Sequence, residues 1–183
     1  EVAADLFGSR GYARTSIRDI AAAVGMLPGS IYYHFRSKEE LLLAVHAEGV
    51  RLIMNAVNNA LREAPDDPWA RLEAAARAHL KGLLTGGKFS MVVTPEFSRQ
   101  VEEPLRAQLI DERNRYEQIF RDLIAALPLP DGVSPSILRL SLLGSLNWVP
   151  NWYRENGEDP DSIATKIIDM LRRPLDPDMT GAL

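Results

Sequence analysis

Residues 15–42, TSIRDIAAAVGMLPGSIYYHFRSKEELL, contain the pattern that decides the fold. Apolar residues recur every three or four positions from Ile17 to Val24, which predicts a short helix whose apolar face is buried. Gly25 supplies the left-handed residue that ends such a helix, and Pro28 suits the first turn of another. Two short helices joined by a tight glycine-containing turn are typical of a helix-turn-helix, whose second helix enters the major groove of DNA.

The second short helix is expected to expose a polar and aromatic side, because Ile31 and Phe35 are spaced to face the core. The residues left on or near the exposed side are Gly29, Ser30, Tyr32, Tyr33 and His34. Hydroxyl and imidazole groups can donate hydrogen bonds to phosphates, aromatic rings can pack on base edges, and a glycine lets the backbone approach the duplex closely. This side of the helix is therefore the candidate reading surface.

The charge of the chain restricts where DNA can bind. The 183 residues carry a formal net charge of -4, so bulk positive charge is not available to attract a nucleic acid. From Thr15 to Lys38, however, three cations, Arg18, Arg36 and Lys38, stand against the single carboxylate of Asp19. DNA binding must therefore be local to this positive segment.

Helical periodicity continues beyond this segment without any alternating strand pattern, which predicts an all-α protein. A long fourth helix over residues 38–63 is expected to link two domains, because prolines and aspartates break the pattern at residues 64–68. We predict an N-terminal three-helix helix-turn-helix domain over residues 1–46. Residues 47–183 are predicted to form a C-terminal helical bundle for ligand binding and dimerisation.

Composition narrows the class further. The chain has 46% hydrophobic residues, which is enough for a buried core, and it has no cysteine, which excludes disulfides and thiolate chemistry. No apolar run approaches the roughly 20 residues that span a bilayer, and the start lacks a signal peptide's order. We therefore expect a cytoplasmic protein. Residues 1–8 have the pattern of a helix already in progress, so we expect a short leader before them.

The block over residues 15–42, with LFGSRGYART at residues 6–15, resembles the DNA-binding domain of the TetR family of transcriptional regulators over residues 3–46. In that family a glycine and an aromatic residue precede T-x-x-x-I-A, and a Y-x-H-F-x-x-K-x-x-L block closes the reading helix. The resemblance implies Tyr33 and Lys38 as phosphate contacts. Leu27 departs from the pattern, because many relatives carry there a serine or threonine that can bond to a phosphate. The residues that the resemblance places at or near DNA are Thr15, Ser16, Arg18, Pro28, Gly29, Ser30, Tyr32, Tyr33, His34 and Lys38.

The resemblance also implies a homodimeric repressor that binds a palindromic operator and is released by a small effector. The last two long helices are the natural dimer interface. A small-residue patch there allows close helix approach, and an apolar stripe offers surface to bury, although each residue could equally pack within one chain. The predicted interface residues are Ser141, Gly144, Ser145, Ile163, Ile167, Met170 and Leu171.

For the effector, residues 143–156, LGSLNWVPNWYREN, place two tryptophans four apart on one predicted helical face that continues through a kink at Pro150. This segment and residues 113–124 look like the subgroup of the family that responds to acyl-CoA thioesters. We therefore expect a hydrophobic, acyl-CoA-like effector, although tryptophans at this spacing also occur in cores and dimer interfaces. The acyl part is predicted to lie in a channel lined from Phe89, Met91, Phe97, Tyr116 and Phe120. The polar part is predicted to lie near Trp148, Trp152 and Arg154.

Two other classes of protein fit the sequence less well. An enzyme has little support, because the histidines His34, His46 and His79 are not set at ligand spacing and no nucleophile has an evident base. No metal site and no cofactor are expected. A helical adaptor that binds only protein would explain the hydrophobic faces, but it leaves the exposed tyrosines unexplained. Absence of DNA binding would favour the adaptor.

Overall fold

The computed structural model describes residues 1–176, which contain nine α-helices and no strand, so the all-α prediction is confirmed. Short 3-10 turns follow the fifth helix at Gly87–Phe89 and the eighth at Val149–Asn151. Within the described range, no helix combines the length and the apolar character needed to cross a membrane. The helices are α1 Val2–Arg10, α2 Ile17–Ala23, α3 Pro28–His34, α4 Lys38–Glu63, α5 Pro68–Thr85, α6 Pro95–Ser98, α7 Leu105–Ala125, α8 Pro135–Trp148 and α9 Pro160–Arg172.

Local rules explain the start and the end of α2. The Ser16 hydroxyl accepts a hydrogen bond from the Asp19 backbone N–H, and the Asp19 carboxylate accepts one from the Ser16 backbone N–H at 2.7 Å, a complete capping box. Gly25 adopts φ 68°, as a helix-ending glycine should. Val24 was expected on the buried face, but it caps the helix C-terminus and is exposed, because the helical register ends at Ala23.

The third helix begins as predicted, with Pro28 in its first turn, and its N-cap residue Leu27 makes no side-chain capping bond. Ile31 is buried and Phe35 is half-buried, so the inward side of the helix agrees with the pattern.

The contacts of the chain divide it into two compact units. The first unit consists of Glu1–Leu52 and Thr85–Arg115, and the second of Ile53–Leu84 and the described residues from Tyr116 onward. Each has its own core, around Phe7 and Leu42 in the first and around Phe120 and Leu142 in the second. Because the division passes through α4 and α7, helices contribute to both units.

The predicted domain boundary after residue 46 stays a prediction, and residues 177–183 of the predicted second domain lie outside the described part of the chain. The expected kinked helix through Pro150 is wrong. Helix α8 ends at Trp148, and Pro150 lies in the first turn of a separate 3-10 turn, where its missing N–H costs nothing. Trp148 and Trp152 therefore do not share one helix.

Candidate nucleic-acid interface and effector region

The outer side of α3 exposes a group of aromatic side chains. Tyr33 is 87% exposed, Tyr32 is also exposed, and the Tyr33 and His34 rings meet edge to face with centroids 5.1 Å apart. At Gly29, no atom beyond its chain neighbours and the backbone of its own helix lies within 4 Å of the position that a Cβ would occupy. Of the residues that the sequence placed on this face, Gly29, Tyr32, Tyr33 and His34 are exposed and Ser30 is half-buried.

Two of the predicted DNA contacts at α2, Ser16 and Arg18, are exposed. The Ser16 hydroxyl already makes a hydrogen bond within the protein. The Ser16 hydroxyl donates to the Asp19 carboxylate at 2.6 Å, and these hydrogen bonds lower the pKa of Asp19 below its usual value. Arg18 is exposed on the same helix. Because a serine hydroxyl has a single proton to donate, a phosphate contact from Ser16 would have to replace its hydrogen bond to Asp19.

Thr15 does not belong to this surface. Its side chain is 1% exposed, and its hydroxyl lies 3.1 Å from the Leu6 carbonyl oxygen and 3.0 Å from that of Gly11, to which it donates. A buried hydroxyl that serves backbone carbonyls cannot reach a duplex. We correct the role of Thr15 from a DNA contact to a residue that fixes the start of α2 against α1.

Lys38 is held in place by two contacts with Tyr12. Its ammonium donates to the Tyr12 carbonyl oxygen at 3.1 Å and lies 4.1 Å from the centroid of the Tyr12 ring. The Tyr12 hydroxyl donates to Glu39 at 3.0 Å, and burial, followed by this contact, raises the pKa of the tyrosine. An ammonium has three donors, so Lys38 keeps donors for a phosphate while it fixes the turn before α2.

Sequence reasoning missed two cations, Arg10 at the end of α1 and Arg14 in the turn before α2. Arg10 and Arg14 are exposed, and the Arg14 guanidinium donates to the Arg10 carbonyl oxygen at 2.8 Å. Counted from residue 10 to residue 38, five cations stand against the single carboxylate of Asp19. The sequence itself contains this signal. The positive stretch begins at Arg10, five residues before Thr15, where the segment considered in the sequence analysis starts.

A buried histidine and a half-buried glutamate connect α4 and α7 within the first unit. His46 is 2% exposed, and its Nδ1 lies 2.9 Å from a carboxylate oxygen of Glu112. Burial lowers the pKa of His46, although the Glu112 contact opposes that shift. In this contact the imidazole Nδ1–H donates and the Glu112 carboxylate accepts.

The second unit contains a buried histidine with partners on both ring nitrogens. The Tyr116 hydroxyl donates to His79 Nδ1 at 2.6 Å, and His79 Nε2–H donates to the Asn147 side-chain oxygen at 3.2 Å. The His79 ring stacks on Tyr116 and meets Phe120 edge to face. Burial lowers the pKa of His79 to about 4, although the Asn147 hydrogen bond opposes that shift. The sequence pattern gave no sign of this network.

The residues predicted to line an effector channel fall into different units. Phe89, Met91 and Phe97 belong to the first unit, whereas Tyr116 and Phe120 are buried around His79 in the second. The residues predicted near the polar part of the effector, Trp148, Trp152 and Arg154, are exposed. One channel lined by all of them stays a prediction.

The predicted dimer residues differ in their accessibility. The small residues Ser141, Gly144 and Ser145 are exposed on one side of α8, and no atom beyond the chain neighbours and the backbone of α8 lies within 4 Å of a Cβ placed at Gly144. On α9, Met170 is 75% exposed and Ile167 and Leu171 are half-buried, but Ile163 is buried within its own unit and offers little surface to a partner. The same side of α8 also exposes residues that the sequence analysis did not select, Ile137, Leu140 and Trp148.

Comparisons with known proteins cover both halves of the chain. Residues 1–45 match the family described as "Bacterial regulatory proteins, tetR family", and residues 65–175 match "Tetracyclin repressor-like, C-terminal domain". The HTH-type transcriptional repressor KstR2 of Mycobacterium tuberculosis (strain ATCC 25618 / H37Rv) is 28% identical over 165 residues, which are 86% of this chain and 80% of that protein.

Two solved structures share the fold over nearly the whole chain. A crystal structure of AibR in complex with isovaleryl coenzyme A and operator DNA is 27% identical with a TM-score of 0.79, covering 93% of this chain and 94% of that one. A crystal structure of superantigen PfiT is 32% identical with a TM-score of 0.78, covering 96% of this chain and 93% of that one.

Proposed function

This chain belongs to the TetR family of bacterial regulatory proteins, and from that premise we propose that it is a ligand-responsive transcriptional repressor. The family resemblance inferred from residues 3–46 is thereby confirmed. The observation that carries the proposal is the exposed face of α3, where Tyr32, Tyr33 and His34 lie in a positive segment of an acidic chain. Surface aromatics and cations on a helix-turn-helix serve phosphate contacts and base packing.

We further propose that two copies bind a palindromic operator. A symmetric dimer places two reading helices about one DNA turn apart, so that modest half-site energies combine on a two-fold symmetric site. The exposed sides of α8 and α9, which include Leu140 and Met170, support this arrangement because grouped apolar side chains on a surface mark interaction sites more often than single ones do. No comparison supports the adaptor alternative.

The proposed effector is an acyl-CoA thioester. The AibR structure contains isovaleryl coenzyme A together with operator DNA, and this chain matches that structure over 93% of its length. The effector must bind the DNA-incompetent dimer more tightly than the DNA-competent one, with a coupling free energy of about 1–3 kcal/mol. We propose a cytoplasmic location, where the operator is, and no catalytic role, since the relatives are regulators.

The test measures binding of the purified protein to duplexes from upstream of its own gene, with and without acyl-CoA thioesters of varied chain length. Tyr33→Ala removes the most exposed aromatic side chain of α3, and Tyr33→Phe keeps the ring but removes the hydroxyl. We expect specific binding that one thioester releases, strong weakening in Tyr33→Ala, and a smaller loss in Tyr33→Phe if the ring contributes packing beyond its phosphate hydrogen bond.

Each outcome decides a different part of the proposal. Specific binding that no thioester disturbs would keep the repressor and remove the thioester. Normal affinity in a folded Tyr33→Ala variant would remove the assignment of α3 as the reading helix. Absence of any specific DNA binding would favour the alternative function, a helical adaptor that binds only protein.

A further inference from the structure

The chain that follows α5 returns to the first unit, although it is far from residues 1–46 in sequence. We propose that residues 87–93, here called the seating segment, are a positioning element of the DNA-binding module, and that Gly8 and Gly49 are the residues that let it seat. This inference rests on the proposed operator binding and goes beyond it, because it assigns part of the reading module to the region that matches the C-terminal family.

The first contact is with α1. A Cβ built on Gly8 would lie 2.7 Å from the Cβ of Met91, a separation that real side chains do not reach. Since the atom that it would meet is the root of the Met91 side chain, rotation of that side chain cannot relieve the clash. Beside this contact, the Lys88 ammonium pairs with the Asp5 carboxylate at 2.7 Å. The seating segment is thus packed against one side of α1 and paired with it.

The second contact is with α4. A Cβ on Gly49 would lie 2.6 Å from a methyl carbon of Val93 and 3.3 Å from the Cβ of Phe89. Val93 is buried, and a β-branched side chain has few rotamers with which to move away. Glycine at position 49 therefore sets how closely the seating segment approaches α4.

Helices α1 and α4 hold α2 and α3 in place. The start of α2 is bonded to α1 through the Thr15 hydroxyl and the Leu6 carbonyl oxygen. The start of α4 is bonded to the turn before α2 through Lys38 and Tyr12. The seating segment contains none of the predicted DNA contacts, so its influence on α2 and α3 passes through α1 and α4. Gly8 and Gly49 are positioning residues in this sense.

The experiment compares Gly49→Ala, Val93→Ala and the double variant in the full chain. The probe is the duplex that the parent protein selects from a random pool, and a scrambled duplex of the same length is the control. We expect Gly49→Ala to lower specific affinity about tenfold or more. Affinity for the scrambled duplex should stay the same, because the surface cations are unchanged. The double variant should recover specific affinity, since Val93→Ala removes the methyl carbon that the new Cβ would meet.

A second measurement does not need DNA. Hydrogen exchange of α1 amides should become faster in Gly49→Ala and return toward the parent rate in the double variant, while α5 amides are unaffected. If the parent protein selects no duplex, the proposed function is wrong. Hydrogen exchange then still tests whether the seating segment positions α1 and α4.

A folded Gly49→Ala variant with the parent's ratio of specific to non-specific affinity would overturn the proposal. Failure of the double variant to recover, in binding or in exchange, would overturn it too. Equal loss of specific and non-specific binding would show general damage to the unit instead of displacement of α3, and would count against it.

Discussion

Acidification should destabilise the second unit through His79, and the size of the effect follows from its pKa. The unfolded-state pKa of the imidazole is 6.5, and burial lowers the pKa to about 4 in the folded chain. Between these two values the unfolded state binds more protons, so the stabilisation is present above pH 6.5 and is lost as the pH falls. From about pH 7.5 to about pH 5, proton linkage at this one group removes about 2 kcal/mol of unfolding free energy.

The measurement is the free energy of unfolding in urea at several values from about pH 7.5 to about pH 5. This range stays above the usual carboxyl pKa values, which limits the contribution of the acidic residues. Burial also lowers the pKa of His46, so the parent protein should lose somewhat more than His79 alone predicts. In thermal melts, 2 kcal/mol corresponds to roughly 4–8 °C for a chain of this size.

Two variants separate His79 from the rest of the chain. His79→Gln should be less stable at pH 7.5, because the Tyr116 and Asn147 hydrogen bonds are perturbed, but its pH-dependent loss should be smaller by about 2 kcal/mol. His34→Gln, which changes an exposed histidine, should keep the parent's pH dependence. If His79→Gln loses as much stability on acidification as the parent, the reasoning from burial is refuted.

Three further outcomes can be checked. Thr15→Val should lower the unfolding free energy by about 1–3 kcal/mol in urea titrations, because the Leu6 and Gly11 carbonyls lose a buried donor. Thr15→Ser keeps the hydroxyl and should keep most of the unfolding free energy, so equal losses in the two variants would contradict the role of the hydroxyl. Leu140→Glu should convert a dimer into a monomer in sedimentation velocity, and the exposed control Asn58→Glu should not, so an unchanged Leu140→Glu dimer would exclude this face. Operator affinity should fall about a hundredfold or more between 50 and 200 mM salt if about four phosphates are contacted, and salt-independent binding would contradict the positive surface.

The parts of the fold that follow from the sequence are those governed by local chemistry. The apolar spacing from Ile17 onward, the left-handed Gly25 and the opening Pro28 each depend on residues within three or four positions, so they were sufficient to place α2 and α3. The exposed face of α3 follows from the same periodicity, which is why Tyr33 was identified without the structure.

The parts that did not follow depend on residues that are distant in the chain. Thr15 resembles a DNA contact in sequence, but its hydroxyl is taken up by the Leu6 carbonyl, nine residues earlier, and only the packing of α2 on α1 reveals this. Residues 87–93 have no periodic pattern, so sequence could not show that Met91 and Val93 pack against glycines in α1 and α4. For the same reason, the sequence could not show that Phe97 and Phe120, both predicted to line one effector channel, fall in different units.

The exposed apolar side chains of α8 and α9 are best understood as half of a symmetric interface. Ile137, Leu140, Trp148 and Met170 are 55–75% exposed, and burying the remainder of each would contribute about 1–2 kcal/mol. Eight such side chains across a two-fold interface would contribute about 8–16 kcal/mol, whereas association costs about 4–15 kcal/mol. The margin is small, so dimerisation should depend on protein concentration. Because a palindromic site needs both reading helices, operator occupancy should then rise with the square of protein concentration below the dimer dissociation constant.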